Sequence, residues 1–241
     1  MNRVYHKWFS GCLQRDMELL VFGDRGKPVI FFPTRTARFF DYENWGVIGA
    51  LEKKIDEGKL QIFCVDSIDA ESFYNTDIEP ARRIIRHLQY EDYIIEELVP
   101  FIREHNADDI IVAGCSMGAY HAVNLVLKYP AEFVKVVGMS GRYDLTLTLQ
   151  FFRDLFDGYE DEKVYLNMPS HYMGNLEDQR MLFQIRSLDI ILAIGETDAF
   201  LPNNVEFSSI LSSKDIYHDL FIWEGEAHKP RHWQKMVQLY F

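Results

Sequence analysis

Cysteine is scarce in this chain and shows no pairing. Cys12, Cys64 and Cys115 make an odd three, without the spacing of a metal knuckle or a disulfide framework. Cys64 and Cys115 fall in apolar runs and read as small buried hydrophobes. Long hydrophobic stretches are missing too: no run approaches a membrane span, and Met1–Lys7 lacks the apolar core of a secretion signal. A soluble, cytoplasmic protein with no membrane partner is the expectation. Positive charge is also short, with 25 Lys and Arg against 37 Asp and Glu for a net charge of -12, which argues against a nucleic-acid partner. The densest basic spot, Arg82, Arg83 and Arg86, lies among acidic neighbours and reads as a solvated helix face. There is no internal repeat, low-complexity segment or linker, so one domain over 1–241 is expected.

What the chain does have is an ordinary globular composition, 48% hydrophobic and 26% charged, in enough length for a sizeable core. Two strand-like runs, 4–9 and 17–22, flank Gly11 and suggest an N-terminal antiparallel hairpin. Val29-Ile30-Phe31-Phe32 and 60–65 have the unbroken apolarity of strands buried on both faces, with a helix expected at about 41–56 between them. Apolar positions at helical spacing predict a long helix over 80–105, which Pro100 must kink or restart. Strands ending at Cys115 and at 133–137, 188–194 and 220–223 follow, with helices over 117–129 and 232–241. This alternation is the pattern of an α/β fold with a mostly parallel, doubly wound sheet flanked by helices. The aromatic- and Met-rich region 145–181 breaks the rhythm. It reads either as an insertion over the ligand-binding edge of the sheet or as a helical crossover with a long loop.

The most informative segment is Gly114-Cys115-Ser116-Met117-Gly118, with an apolar strand before it and helix formers after it. In that context the serine occupies a tight strand-to-helix turn that presents its hydroxyl at the sheet edge. The Met117 amide can then face a developing oxyanion. Cys115 is a rival nucleophile, but at the second position of the turn its side chain points into the sheet.

Activating a serine takes a histidine to accept its proton and a carboxylate to orient the histidine, in chain order Ser, acid, His. Asp198, just past the strand over 188–194, is the expected acid; Glu196 and Asp144 are the substitutes. His228, after the last strand and a glycine turn, is the expected base, with His232 as rival. A metal pair of His228 and His232 finds no third ligand, and Pro230 interrupts the helix it would need. His6, His87, His105, His171 and His218 fall at surface-like positions, and His121 reads as a helix-packing residue. A second oxyanion donor is expected from the loop after the early buried strand. Pro33 has no N–H, which leaves Thr34 or Arg35, with Arg35 favoured and its side chain available to an anionic substrate group.

With these residues in place the chain resembles the α/β-hydrolases of the putative esterase family, the group of esterase D (S-formylglutathione hydrolase) and the antigen 85 mycolyltransferases, in its small bacterial form. The resemblance rests on Glu97-Leu98-Val99-Pro100-Phe101-Ile102, on the turn around Ser116, on Gly195-Glu196-Thr197-Asp198-Ala199-Phe200-Leu201, and on His228 followed by Trp233. It implies an α/β-hydrolase fold with Ser116, Asp198 and His228 as triad. Pro33-Thr34-Arg35 departs from the His-Gly of many hydrolases, as do Ala119 and the basic His228-Lys229-Pro230-Arg231 from the usual forms. The expected function is a serine hydrolase that cleaves small-molecule carboxylic esters or thioesters through an acyl-enzyme, without cofactor or metal. An acyltransferase using the same intermediate and a non-catalytic binding protein that keeps the fold are the alternatives. Homo-oligomerisation is left open, as is the identity of the substrate-binding residues.

Overall fold

The computed structural model describes residues 1–149 and 151–241. Eight strands form one sheet: β1 (Arg3–Ser10), β2 (Arg15–Phe22), β3 (Lys27–Phe32), β4 (Leu60–Val65), β5 (Ile111–Cys115), β6 (Lys135–Met139), β7 (Asp189–Gly195) and β8 (Asp219–Trp223). Their order is β1-β2-β4-β3-β5-β6-β7-β8. β1 pairs antiparallel with β2 and β2 antiparallel with β4; every later pairing is parallel. The expected hairpin and mostly parallel sheet are both present. The strand expected at 133–137 lies two residues later.

The two faces of the sheet are read directly from the strand period of two. On β3, Ile30 and Phe32 join one buried cluster and Val29 and Phe31 the other. The first face is covered by α3 (Pro80–Tyr93), α4 (Val99–His105), α5 (Met117–Lys128), α8 (Gln179–Ile185) and α9 (Leu201–Ser213). The second is covered by α1 (Asp41–Asn44), α2 (Glu52–Asp56) and α10 (Pro230–Tyr240). Burial on both sides is why the central strands carry no polar alternation.

Some helices differ from their sequence patterns for identifiable reasons. The helix expected at about 41–56 is broken, because Gly46 adopts φ +70°, a left-handed conformation that ends α1. The helix expected over 80–105 is α3 and α4 joined by a π turn at Ile94–Leu98. Pro100 lacks an amide hydrogen and collides with the carbonyl four residues back in a regular helix, so it sits in the first turn of α4. Arg83 is buried rather than solvated. It donates to the Leu155 carbonyl at 3.0 Å and to Asp157 Oδ2 at 2.7 Å, pinning α3 to the 145–181 region. His87 is likewise buried, on the same face of α3 beside Glu91, and not at the surface.

The 145–181 region links β6 to the final pair of strands through the short helices α6 (Glu162–Tyr165) and α7 (Pro169–Tyr172) and then α8. Leu155, Phe156, Val164 and Met168 cluster with Met117 and Tyr120, so this segment packs against the N-terminal turn of α5.

Candidate active site

Ser116 stands between β5 and α5 at φ 56° and ψ -119°, a backbone conformation that costs energy for any residue with a side chain. Its amide is tied to the Met139 carbonyl of β6 at 2.8 Å. Two glycines make the turn sterically feasible. A Cβ on Gly114 would lie 2.1 Å from the Gly118 carbonyl oxygen, and one on Gly118 would lie 2.2 Å from that of Phe32. The strand end, the first turn of α5 and the loop after β3 are thus in backbone contact at this point. Cys115, the neighbouring thiol, is fully buried, and burial pushes its pKa far up, so it is an inert packing group.

Asp198 and His228 are brought together from separate strand ends. Asp198 is buried; its Oδ1 accepts from the Phe200 amide at 2.9 Å and its Oδ2 meets His228 Nδ1 at 2.6 Å. Gly195 permits this approach, since a Cβ there would lie 2.0 Å from the Glu226 carbonyl oxygen. Glu196 instead accepts from the Gly225 amide at 3.0 Å, holding the turn that precedes His228. Asp144 is engaged elsewhere, with His171 Nε2 at 2.9 Å and with Thr146. His232 opens α10 and does not line the cavity described next. His121 is a buried residue of α5 with its Nε2 2.9 Å from Asp69 Oδ1. Among the described residues no cluster of three or more His, Cys, Asp or Glu is gathered for a metal.

Ser116 and His228 face a common cavity of about 300 Å³. No direct hydrogen bond joins them among the described residues; in ligand-free enzymes that contact is often long. Thr34, Arg35 and Met117 line the same cavity, so the structure assembles all the residues singled out around the serine and histidine, with Asp198 behind the ring. The loop bearing His228 is fixed by Ser140, whose Oγ donates to the Ala227 carbonyl and accepts from Trp233 Nε1, both at 3.1 Å. Trp233 also meets the His228 ring edge-to-face, centroids 5.9 Å apart.

Further lining residues were not anticipated: Tyr74, Arg142, Phe152 and Phe200. Phe152 and Phe200 contact each other, with ring centroids 4.5 Å apart. Arg142 is buried, and desolvation lowers its pKa, though a guanidinium remains charged throughout the ordinary pH range. Burial pushes the Tyr74 hydroxyl up to about 12, keeping it neutral. Two of them had a sequence signal: Phe152 belongs to the aromatic-rich 145–181 region, and Arg142 lies three residues beyond the end of β6, where ligands gather in such sheets.

A model of the family described as putative esterase matches residues 40–215. The chain belongs to the putative esterase family. It is thus a carboxylesterase-type hydrolase, whose substrates are small-molecule esters. The esterase is similar in structure to a ferulic acid esterase (TM-score 0.79, 16% identity, covering 99% of this chain and 95% of that one). It is also similar to an S-formylglutathione hydrolase from Agrobacterium tumefaciens (TM-score 0.75, 16% identity, 98% and 91% covered). A third similar structure is the fluorophosphonate-binding serine hydrolase F of Staphylococcus aureus (TM-score 0.73, 15% identity, 99% and 96% covered). At these identities the likeness establishes the α/β-hydrolase fold. No curated protein matches the esterase by sequence. No helix among its described residues is long and apolar enough to cross a membrane.

Proposed function

We propose that Ser116, His228 and Asp198 are the catalytic triad of a hydrolase that cleaves carboxylic esters or thioesters through an acyl-enzyme. Ser116 Oγ attacks the carbonyl carbon while His228 Nε2 takes the hydroxyl proton. The tetrahedral intermediate then collapses, and the departing alkoxide or thiolate receives that proton from the imidazolium. Water repeats the sequence on the acyl-serine and releases the acid. Asp198 holds His228 in the tautomer with its proton on Nδ1 and stabilises the imidazolium.

The oxyanion donors in this reading are the amides of Met117 and Arg35. Met117 is the first residue of α5, so its N–H has no intrahelical acceptor. Pro33 O would lie 2.6 Å from a Cβ on Gly118, so the planar Pro33–Thr34 peptide turns its carbonyl toward α5 and its Thr34 N–H away. That favours Arg35 over Thr34. The wall made by Phe152 gives the 145–181 region a part in covering the acyl site.

One observation carries the reading: a serine in a strained turn shares a cavity with a histidine bonded at 2.6 Å to a buried carboxylate. Short-chain p-nitrophenyl esters should give a burst of p-nitrophenol, and a fluorophosphonate should label the protein at Ser116. Ser116→Ala should lower kcat by roughly 10⁴-fold or more and abolish labelling. A folded Ser116→Ala variant within tenfold of the parent would refute the assignment.

A further inference from the structure

The cavity at Ser116 is cationic in an otherwise acidic protein. The chain carries a net charge of -12, yet the charged residues lining this cavity besides His228 are Arg35 and Arg142, with no Asp or Glu among the lining residues. Arg142 is the more unusual of the two. Its side chain is buried, and among the described residues no carboxylate lies within ion-pair distance of it. Backbone carbonyls hold it instead: Nε donates to Asp144 at 2.9 Å, and Nη2 is directed at Leu145, Leu147 and Arg153 at 2.8, 2.5 and 3.0 Å. The guanidinium also lies 5.3 Å from the centre of the Phe200 ring. Nη1 is bonded to none of these carbonyls. Asp144 and Asp154 act on it only through space. A fold that buries a charge with no carboxylate in contact, fixes its fork on one side and directs the residue into a reaction cavity has left room for an anion. Arg35 sits on the same cavity with its guanidinium 5.6 Å from the Tyr74 ring centre.

We propose that Arg142, assisted by Arg35, forms an anion-binding subsite, and that the esters this enzyme prefers carry a carboxylate or similar anionic group beside the scissile bond. The inference rests on the reading of Ser116 as nucleophile, and it assigns the substrate class for that site. Arg142 and Arg35 here are specificity-determining residues: they engage the part of the substrate that does not react. The surrounding Phe152, Phe200 and Trp233 suit the short apolar segment between the anion and the reacting carbonyl.

Matched pairs of esters test the proposal on both sides of the bond. Mono-p-nitrophenyl glutarate is compared with p-nitrophenyl pentanoate, and 4-acetoxybenzoate with its methyl ester. In at least one pair the anionic ester should have the higher kcat/KM by roughly tenfold or more, the size of one charge-assisted hydrogen bond. The same ratio should fall to near unity in Arg142→Met. Since that side chain also supports several carbonyls, Arg35→Gln serves as the second variant, expected to reduce the ratio at least threefold while the fold is retained. Equal efficiency toward anionic and neutral members of both pairs would overturn the inference and leave Ser116 as nucleophile. If no ester is hydrolysed and fluorophosphonate does not label, the Ser116 reading fails instead. The subsite is then judged by calorimetric titration of the parent protein with glutarate, where binding lost in Arg35→Gln supports it and no binding overturns it.

Discussion

Gly195→Ala tests whether the approach of two loops sets the reactivity of His228. Gly195 ends β7 and is not among the glycines at positive φ, so its value here is space, not conformational freedom. An added Cβ would lie 2.0 Å from the Glu226 carbonyl oxygen and 2.5 Å from that of Gly225. Both obstacles are backbone, so no rotamer change relieves them. Ordinary contact begins at 3.4 Å, which requires the turn to retreat by about 1.4 Å. His228 follows that turn, and its 2.6 Å bond to Asp198 would stretch beyond hydrogen-bonding range. Misplacement of a catalytic group by ~1 Å costs on the order of 10²-fold in rate. The overpacking itself costs about 1–3 kcal/mol. The expected outcome is a folded protein with a moderately lowered Tm and kcat reduced about 10²-fold toward p-nitrophenyl esters. Circular dichroism melts alongside initial rates separate the two effects. A variant with kcat within twofold of the parent would refute the geometric argument.

Asp198→Asn keeps the shape of the acid but loses its charge and its fixing of the His228 tautomer, so kcat should fall by roughly 10³–10⁴-fold with little change in KM; a fall under tenfold contradicts the role given to Asp198. Lys128 bonds the buried Glu91 carboxylate, whose remaining contacts include the Asn124 amide at 2.8 Å. Lys128→Met strands that charge and should cost about 3–5 kcal/mol in denaturant unfolding, whereas a loss below ~1 kcal/mol would show that the pair is dispensable. The hydrogen bond that His171 donates to Asp144 raises the histidine's pKa above its ordinary 6.5, against the effect of burial. For Asp144, burial pushes upward but is outweighed by hydrogen bonds from His171 and Thr146, and the pKa falls below 3.8. The pair is thus fully charged between those two ordinary values; the histidine's contribution is complete below 6.5 and is lost as pH rises through its raised folded value. His171→Gln should therefore destabilise by up to ~0.5 kcal/mol near pH 5.5, discounted for an imidazole over a third exposed, and by nothing measurable at pH 9. Equal ΔΔG at both pH values would contradict the assignment.

The parts of the site that were legible in sequence share one property: each follows a strand that can be recognised by itself. Ser116 follows β5, Asp198 follows β7 and His228 follows β8, and the roles proposed for them follow the chain order expected in this architecture. Helix α9 was less visible. Its buried positions Asn203, Phe207 and Leu211 do recur every four residues, but the first is polar, and Pro202 and the serines at 208, 209, 212 and 213 are weak helix formers. Asn203 is polar because its Oδ1 accepts from the Tyr143 amide at 2.8 Å, a contact across sixty residues.

The same non-locality explains the two misread positions on α3 and the unanticipated charge in the cavity. Arg83, His87 and Glu91 recur at intervals of four and form a regular buried stripe, but polar residues at helical spacing look the same as a solvated face until their partners are known. Those partners come from Asp157, Leu155, Asn124 and Lys128, on elements the sequence does not place beside α3. Arg142 is a sharper case, because its partners are near in sequence yet are all backbone carbonyls, which carry no residue signature. The proposed reaction type therefore draws on a signal readable in sequence, the chain order of three strand ends. Substrate choice is less readable, because the cavity draws its lining from the loops after β3, β4, β5, β6, β7 and β8, and only their convergence sets Arg142 beside Arg35, the one arginine the sequence offered to an anionic group.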